Sequence, residues 1–211
     1  MAETVVAIPV LWLVIGLAIE LAFLFETKAA LNHAALQSAR AGMVANAEPT
    51  ALVNGLARGL LPLFSPQPGL LGAAETLATE ALPDVLIFAR IRILNPTRAT
   101  FTDFGEVINR ERQIPNDELH RRSTAPGGAS GINIQDANLL KLEVTYGAET
   151  KVPVLGTLLA QTILLFNRSQ LDTFELALLA AGRLPVLSTA TVRMQSPAKL
   201  NTLMIDNSGE I

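Results

Sequence analysis

Cysteine is absent from this 211-residue chain, so no disulfide, thiolate nucleophile or cysteine-based zinc site can form. Histidine is nearly absent too: His33 and His120 are the only two, too few for most imidazole metal or acid–base sites. Charge is scarce, at 17% of residues against about 25% in an ordinary globular domain. The 16 lysines and arginines are interspersed with 19 acids, which offers no basic face to nucleic acid. The shortage of charge is uneven. Positions 5–25 hold one acid, Glu20, and no base, whereas 96–125 carry ten charged residues in thirty. The composition therefore divides into a membrane-like head and a soluble body.

The head reads VVAIPVLWLVIGLAIELAFLF over 5–25. As a helix these residues span about 32 Å, matching the roughly 30 Å hydrocarbon core of a bilayer. A secretory signal has a shorter apolar region, a basic start and a small-residue cleavage site, none of which is found here. The run predicts a membrane-spanning helix. Pro9 lies inside it, where a membrane helix tolerates a kink better than a soluble one. Glu3 precedes the run; it suits either a headgroup-level helix N-terminus or a functional carboxylate. Glu20 stands within the run, where a carboxylate either reaches the interface or finds a partner. No Lys or Arg precedes the run, while Lys28 and Arg40 follow it. Read literally, that pattern leaves the body in the cytoplasm; a short basic leader removed on maturation would reverse this.

Residues 26–47, ETKAALNHAALQSARAGMVANA, are rich in helix formers. Ala30, Ala34, Ser38 and Gly42 recur every four residues, a small-residue row that lets another backbone approach closely. With Pro49 as its stop, the expectation is one helix over 1–48, spanning at 5–25 and amphipathic at 26–47. The alternative is an ordinary anchor with an alanine-rich juxtamembrane turn.

The stretch 2–42, AETVVAIPVLWLVIGLAIELAFLFETKAALNHAALQSARAG, resembles the TadE-like pseudopilins of tight-adherence (Tad) type IV pilus systems. The shared order is a Glu opening an apolar helix, an early Pro, then a polar Asn-containing stretch ending in Ser38-Ala39-Arg40-Ala41-Gly42. ARGLLPLF at 57–64, ARIRILNPT at 89–97 and VRMQSPA at 192–198 are similar to the family as well. The resemblance implies a structural subunit of a bacterial pilus or related filament that adheres to surfaces, with a minor or priming role favoured over that of the major subunit and a self-polymerising filament left open. It implies cleavage by a prepilin peptidase, residence in the inner membrane with the body on the periplasmic side, and then export by the pilus assembly machinery. Its partners would be copies of itself or other pilins. Glu3 would be the assembly carboxylate, pairing with a neighbour's cationic N-terminus. Pro9, Ala30, Ala34, Ser38 and Gly42 would serve helix packing, and Glu20 would be a secondary intramembrane carboxylate. No cofactor, metal or nucleic acid is implied.

In the body, 49–211, the leucine spacing predicts a helix over 50–64 and a second over 70–82 stopped by Pro83. Alternation predicts strands at 85–94, 139–146 and 187–194. The charged stretch 96–135 reads as irregular, with PGGASG at 126–131 a mobile loop. The apolar stretch 152–166 is short for a span and reads as a core or subunit-facing helix; 174–181 suggests another helical turn, and 201 onward a tail. The expected class is α+β and pilin-like: a long N-terminal helix followed by short helices and a small antiparallel sheet. A bitopic inner-membrane anchor or scaffold is the competing reading. As an enzyme the chain has little to offer. Asp103, Glu106 and Glu111 are the only candidate acid–base group, in a generally charged stretch without a nucleophile.

Overall fold

The computed structural model describes residues 2–64, 69–108, 110–152 and 155–206, with side chains from residue 7 onward. Its element order is α1 (Ala2–Val44), α2 (Pro49–Leu60), a 3-10 turn (Leu61–Phe64), α3 (Leu70–Thr76), a π turn (Leu77–Ala81), α4 (Leu82–Phe88) and β1 (Ala89–Asn95). There follow α5 (Arg98–Phe104), β2 (Glu106–Ile108), β3 (Glu111–Ile114), α6 (Ile134–Ala137), β4 (Leu139–Glu149), α7 (Leu155–Asn167), α8 (Thr173–Ala180), β5 (Arg183–Arg193) and β6 (Ala198–Lys199). The class is α+β. One sheet has the order β1-β4-β5, the other β2-β3-β6, with β3 antiparallel to both its neighbours. Two compact units share these elements. Met1–Ala29 joins Thr145–Leu187 in the first, and Ala30–Val144 joins Ser188–Ile211 in the second.

In the second unit, the later half of α1 buries Leu31, Ala34, Ala35, Ser38 and Ala39, and α2 lies against it. The fit is made by small residues on both sides. A Cβ added at Gly59 would fall 2.4 Å from the Ala34 Cα, and one at Gly55 would fall 2.9 Å from the Ser38 Cα. Ser38 Oγ donates to the carbonyl of Leu52 at 2.8 Å, which satisfies its buried hydroxyl. Leu52, Leu56 and Leu60 on α2 are fully buried, along with Ile93, Leu140, Leu142 and Val144 from β1 and β4.

Pro49 does not end α1. The helix stops at Val44, and Asn46 and Ala47 follow in the left-handed region, both at φ 58°. That turn is held from the C-terminal side. Gln195 N and Ser196 N donate to Met43 O, Lys199 N donates to Asn46 O, and Asn201 Nδ2 donates to Ala47 O at 2.9 Å. Pro49 instead occupies the first turn of α2, where its missing N–H costs nothing. Pro83 likewise opens a helix rather than stopping one. A π turn re-phases the chain just before it, so the helical path continues to Phe88 and β1 starts only at Ala89. Residues 201–206 are no loose tail. Ile93 N donates to Leu203 O at 2.8 Å, Ile205 N donates back to Ile93 O, and Met204 is buried in a parallel bridge with Ile93.

The stretch 96–135 contains α5, β2, β3 and the start of α6, and its glycine loop is anchored. Asp103 accepts hydrogen bonds from Ser130 Oγ at 2.6 Å, Ser130 N at 2.7 Å and Ala129 N at 3.0 Å. Gly127 makes the seat possible, because a Cβ there would lie 2.2 Å from Asp103 Oδ2. The Ser130 hydroxyl first, then the two amides, hold the Asp103 carboxyl below its ordinary value. A depressed carboxyl contributes stability above its unfolded value, about 3.9, and loses it as pH falls through the lower folded one. Amide exchange at Ala129 and Ser130 should therefore be slow at neutral pH and lose protection below about pH 4. Asp103→Ala should remove that protection at pH 7. Equal protection factors in the wild type and the variant would show that the loop is held by something else.

Candidate functional site

The first unit contains the apolar half of α1, the ends of β4 and β5 that belong to it, α7 and α8. From residue 7 to residue 25 every side chain of α1 is exposed or half-exposed except one, and that one is Glu20. Trp12 is 70% exposed and Phe25 77%, while the carboxylate between them is 0% exposed. A helix in water buries its apolar face and exposes its charge. Here the order is inverted, as expected when the surroundings are less polar than the protein. Among the described residues one helix is long and apolar enough to cross a membrane, and it is this one. Pro9 is exposed on it without interrupting it.

The Glu20 carboxylate is seated on backbone. Its Oε2 accepts from Val152 N at 2.8 Å and from Lys151 N at 3.1 Å, and Oε1 lies 3.3 Å from Lys151 N. The donors belong to the bend between β4 and α7. One turn earlier on α1, Gly16 leaves room for that bend; a Cβ there would sit 3.0 Å from Leu155 Cδ1 and 3.6 Å from Val152 Cγ1. The bend is also tight within itself, since a Cβ at Gly156 would fall 2.4 Å from Thr150 Oγ1. Lys151 does not supply the countercharge. Its ammonium turns to Glu149 Oε2 at 2.5 Å, a hydrogen bond that holds the Glu149 carboxyl below its ordinary value. Two aimed amides therefore stabilise Glu20, which answers part of the cost of burying a carboxylate. The same carboxylate satisfies two N–H groups that stand outside regular structure.

The row Ala30, Ala34, Ser38, Gly42 continues α1 into the second unit. Ala34 and Ser38 face Gly59 and Gly55 of α2, and Gly42 faces Leu52 and Leu140, so from Ala34 onward the row is occupied within the chain. Ala30 is half-buried. Glu3 lies in α1, and its side chain falls outside the described residues. The acids Asp103, Glu106 and Glu111 do not converge. Asp103 turns to Ala129 and Ser130, Glu106 to Arg122, and Glu111 to Lys199. Among the described residues no three His, Asp or Glu side chains cluster as a metal site would require. His120 is exposed beside Arg121 and Arg122, which pair with Glu118 and with Asp117 and Glu106.

Sequence reasoning singles out Glu20 as anomalous but has no means of finding its seat. The donors are backbone amides 131 and 132 residues away, and backbone donors leave no side-chain signature. The available hint was Gly16, a small residue one turn before the acid. No family model matches the chain, and no curated protein or solved structure matches it significantly.

Proposed function

We propose that this chain is a membrane-anchored, pilin-like structural subunit of a TadE-like, Tad-type pilus system, assembling through α1, with a minor or priming role. The observation that carries the membrane part is the inversion along residues 7–25 of α1: aliphatic and aromatic side chains outward, and the one carboxylate of that stretch, Glu20, inward. The pilus part rests on the order of residues in 2–42 and on the continuity of α1, whose 43 residues run unbroken from the apolar segment into the folded body. In this reading the subunit waits in the inner membrane with its body on the periplasmic side. It is then drawn out so that its apolar segment packs against other pilins, an exchange of lipid for protein that is near balance because both are apolar. Glu3 would pair with a neighbour's N-terminus.

A bitopic anchor or scaffold of the assembly machinery is the second reading, and one observation favours it. The small-residue row from Ala34 to Gly42 is already covered by α2 and β4, and so does not offer a neighbouring helix a close approach. Shearing cells separates the two. A filament subunit is recovered from the sheared surface fraction with a processed N-terminus, read from its intact mass and first residue. A chain found unprocessed and only in the inner membrane would leave the anchor.

A further inference from the structure

We infer that the bilayer's hydrocarbon ends on α1 at the level of Glu20 and not at Phe25, so that residues 4–19 are the lipid-immersed segment; this rests on the reading of α1 as membrane-spanning. Composition alone sets the limit at Phe25, because Glu26 is the next charge and Glu20 reads as an interruption. The packing of the first unit moves it. Glu20 is tied to the bend at 150–152, where Lys151 N and Val152 N donate to its carboxylate. That bend carries an ion pair in the open: Lys151 Nζ lies 2.5 Å from Glu149 Oε2, with the two side chains 51% and 61% exposed. Hydrocarbon would strip both ions of water and return only the bond between them, a loss that one ion pair does not repay. A lone lysine reaches water from some depth by extending its aliphatic stem. Here the ammonium is held by a residue two positions away, so the pair stays with the bend. Water or headgroups therefore reach the bend, and with it Glu20.

Contacts along α1 change character at the same point. One turn toward the N-terminus, the atoms facing Gly16 are apolar, Leu155 Cδ1 and Val152 Cγ1. Two turns the other way, Lys28 Nζ donates to the Leu187 carbonyl. Between Glu3 and Glu20 stand sixteen uncharged residues, about 24 Å of helix. That is a few ångström short of the roughly 30 Å hydrocarbon core, a mismatch met by an upright helix and a locally thinned bilayer. Phe25 lies five residues beyond Glu20, about 7.5 Å farther along the axis. The headgroup layer is roughly 6 Å deep on each side, so Leu21 and Phe23 fall within it and Phe25 at its outer edge. The buried carboxylate thereby acquires a role: it docks the charged bend where the headgroups begin and sets how deep α1 sits.

The absence of cysteine allows single probes, and Leu11, Ile15 and Phe25 are all exposed. Full-length chains carrying Leu11→Cys, Ile15→Cys or Phe25→Cys are labelled with an environment-sensitive fluorophore and reconstituted in phosphatidylcholine vesicles. Depth is read as the ratio of quenching by a nitroxide at the end of a lipid acyl chain to quenching by one at the headgroup. Leu11 is near the middle of 4–19, Ile15 at the middle of 5–25. The expected ratio is highest at Leu11, lower at Ile15 and lowest at Phe25, where aqueous iodide also quenches. A ratio at Ile15 equal to or above that at Leu11 would move the limit toward Phe25 and overturn the proposal while leaving α1 in the membrane. Adding Glu20→Leu to the Ile15 chain should raise its ratio, because the tie to the ion pair is gone; an unchanged ratio would overturn the role given to Glu20. If no probe answers to either lipid quencher, the spanning reading fails and takes this one with it.

Discussion

Replacing Glu20 by leucine is expected to loosen the bend at 150–152, although it makes α1 more apolar. If Glu20 merely tolerated its place in the helix, leucine would be an improvement, since a carboxylate at the centre of a membrane helix is costly. The geometry gives the opposite sign. Val152 N at 2.8 Å and Lys151 N at 3.1 Å both donate to this carboxylate, and leucine leaves them without an acceptor. Hydrogen bonds to a charged group are worth about 1.5–3 kcal/mol each, and an orphaned buried donor costs a similar amount. The released carboxylate burial offsets part of that, so a net loss of about 3 kcal/mol at the bend is expected, more than a hundredfold in its opening equilibrium. Lys151 is exposed and makes the change measurable, because trypsin cuts after it once the bend opens. In detergent-solubilised full-length protein, cleavage at Lys151 should be fastest in Glu20→Leu and Glu20→Ala, intermediate in Glu20→Gln, which keeps one acceptor oxygen, and slowest in the wild type. Cleavage of Glu20→Leu no faster than wild type would mean that the carboxylate does not hold the bend.

Glu20 also illustrates which features a sequence displays and which it hides. The long apolar helix at the N-terminus is legible because its length and apolarity are recorded directly in composition. The strands β4 and β5 are legible through alternation, as LLKLEVTY and LSTATVRM show, although β5 starts four residues earlier, at Arg183. Pro83 misleads because the π turn that re-phases the chain before it is a compensation with no residue signature of its own. The ends of the elements near Pro49 and after residue 201 were equally hidden. Both are set by hydrogen bonds between segments some 150 residues apart, Asn46 to Pro197 and Asn201 to Ala47. Glu20 follows the same rule, since its anomaly is local and its partners are remote.

Gly59→Ala should be among the most damaging single-methyl additions in the chain, and comparison with Gly42 explains why. An added Cβ meets its nearest atom at 2.4 Å at both sites. At Gly42 that atom is Leu52 Cδ2, the far end of a rotatable side chain. At Gly59 it is the Ala34 Cα, with the Ala34 Cβ at 2.8 Å, so relief requires α1 and α2 to move apart along a seam that includes Leu52, Leu56 and Leu60. Alanine in a helix interior gains about 0.5–1 kcal/mol over glycine from backbone entropy. At Gly42 that gain offsets much of the side-chain adjustment. At Gly59 overpacking of about 3 kcal/mol or more outweighs it, leaving a net loss of about 2 kcal/mol. For a chain of this size that corresponds to a midpoint lowered by roughly 4–8 °C. Thermal unfolding of the full-length chain in detergent should order the variants as wild type, Gly42→Ala, Gly55→Ala and Gly59→Ala, from most to least stable. Gly55 falls between because its nearest atoms, the Ser38 Cα and Ala41 Cβ, lie at 2.9 Å. An order with Gly42→Ala as the weakest would place the tightest point at Leu52 and Leu140, and not at the backbone approach of Gly59 to Ala34.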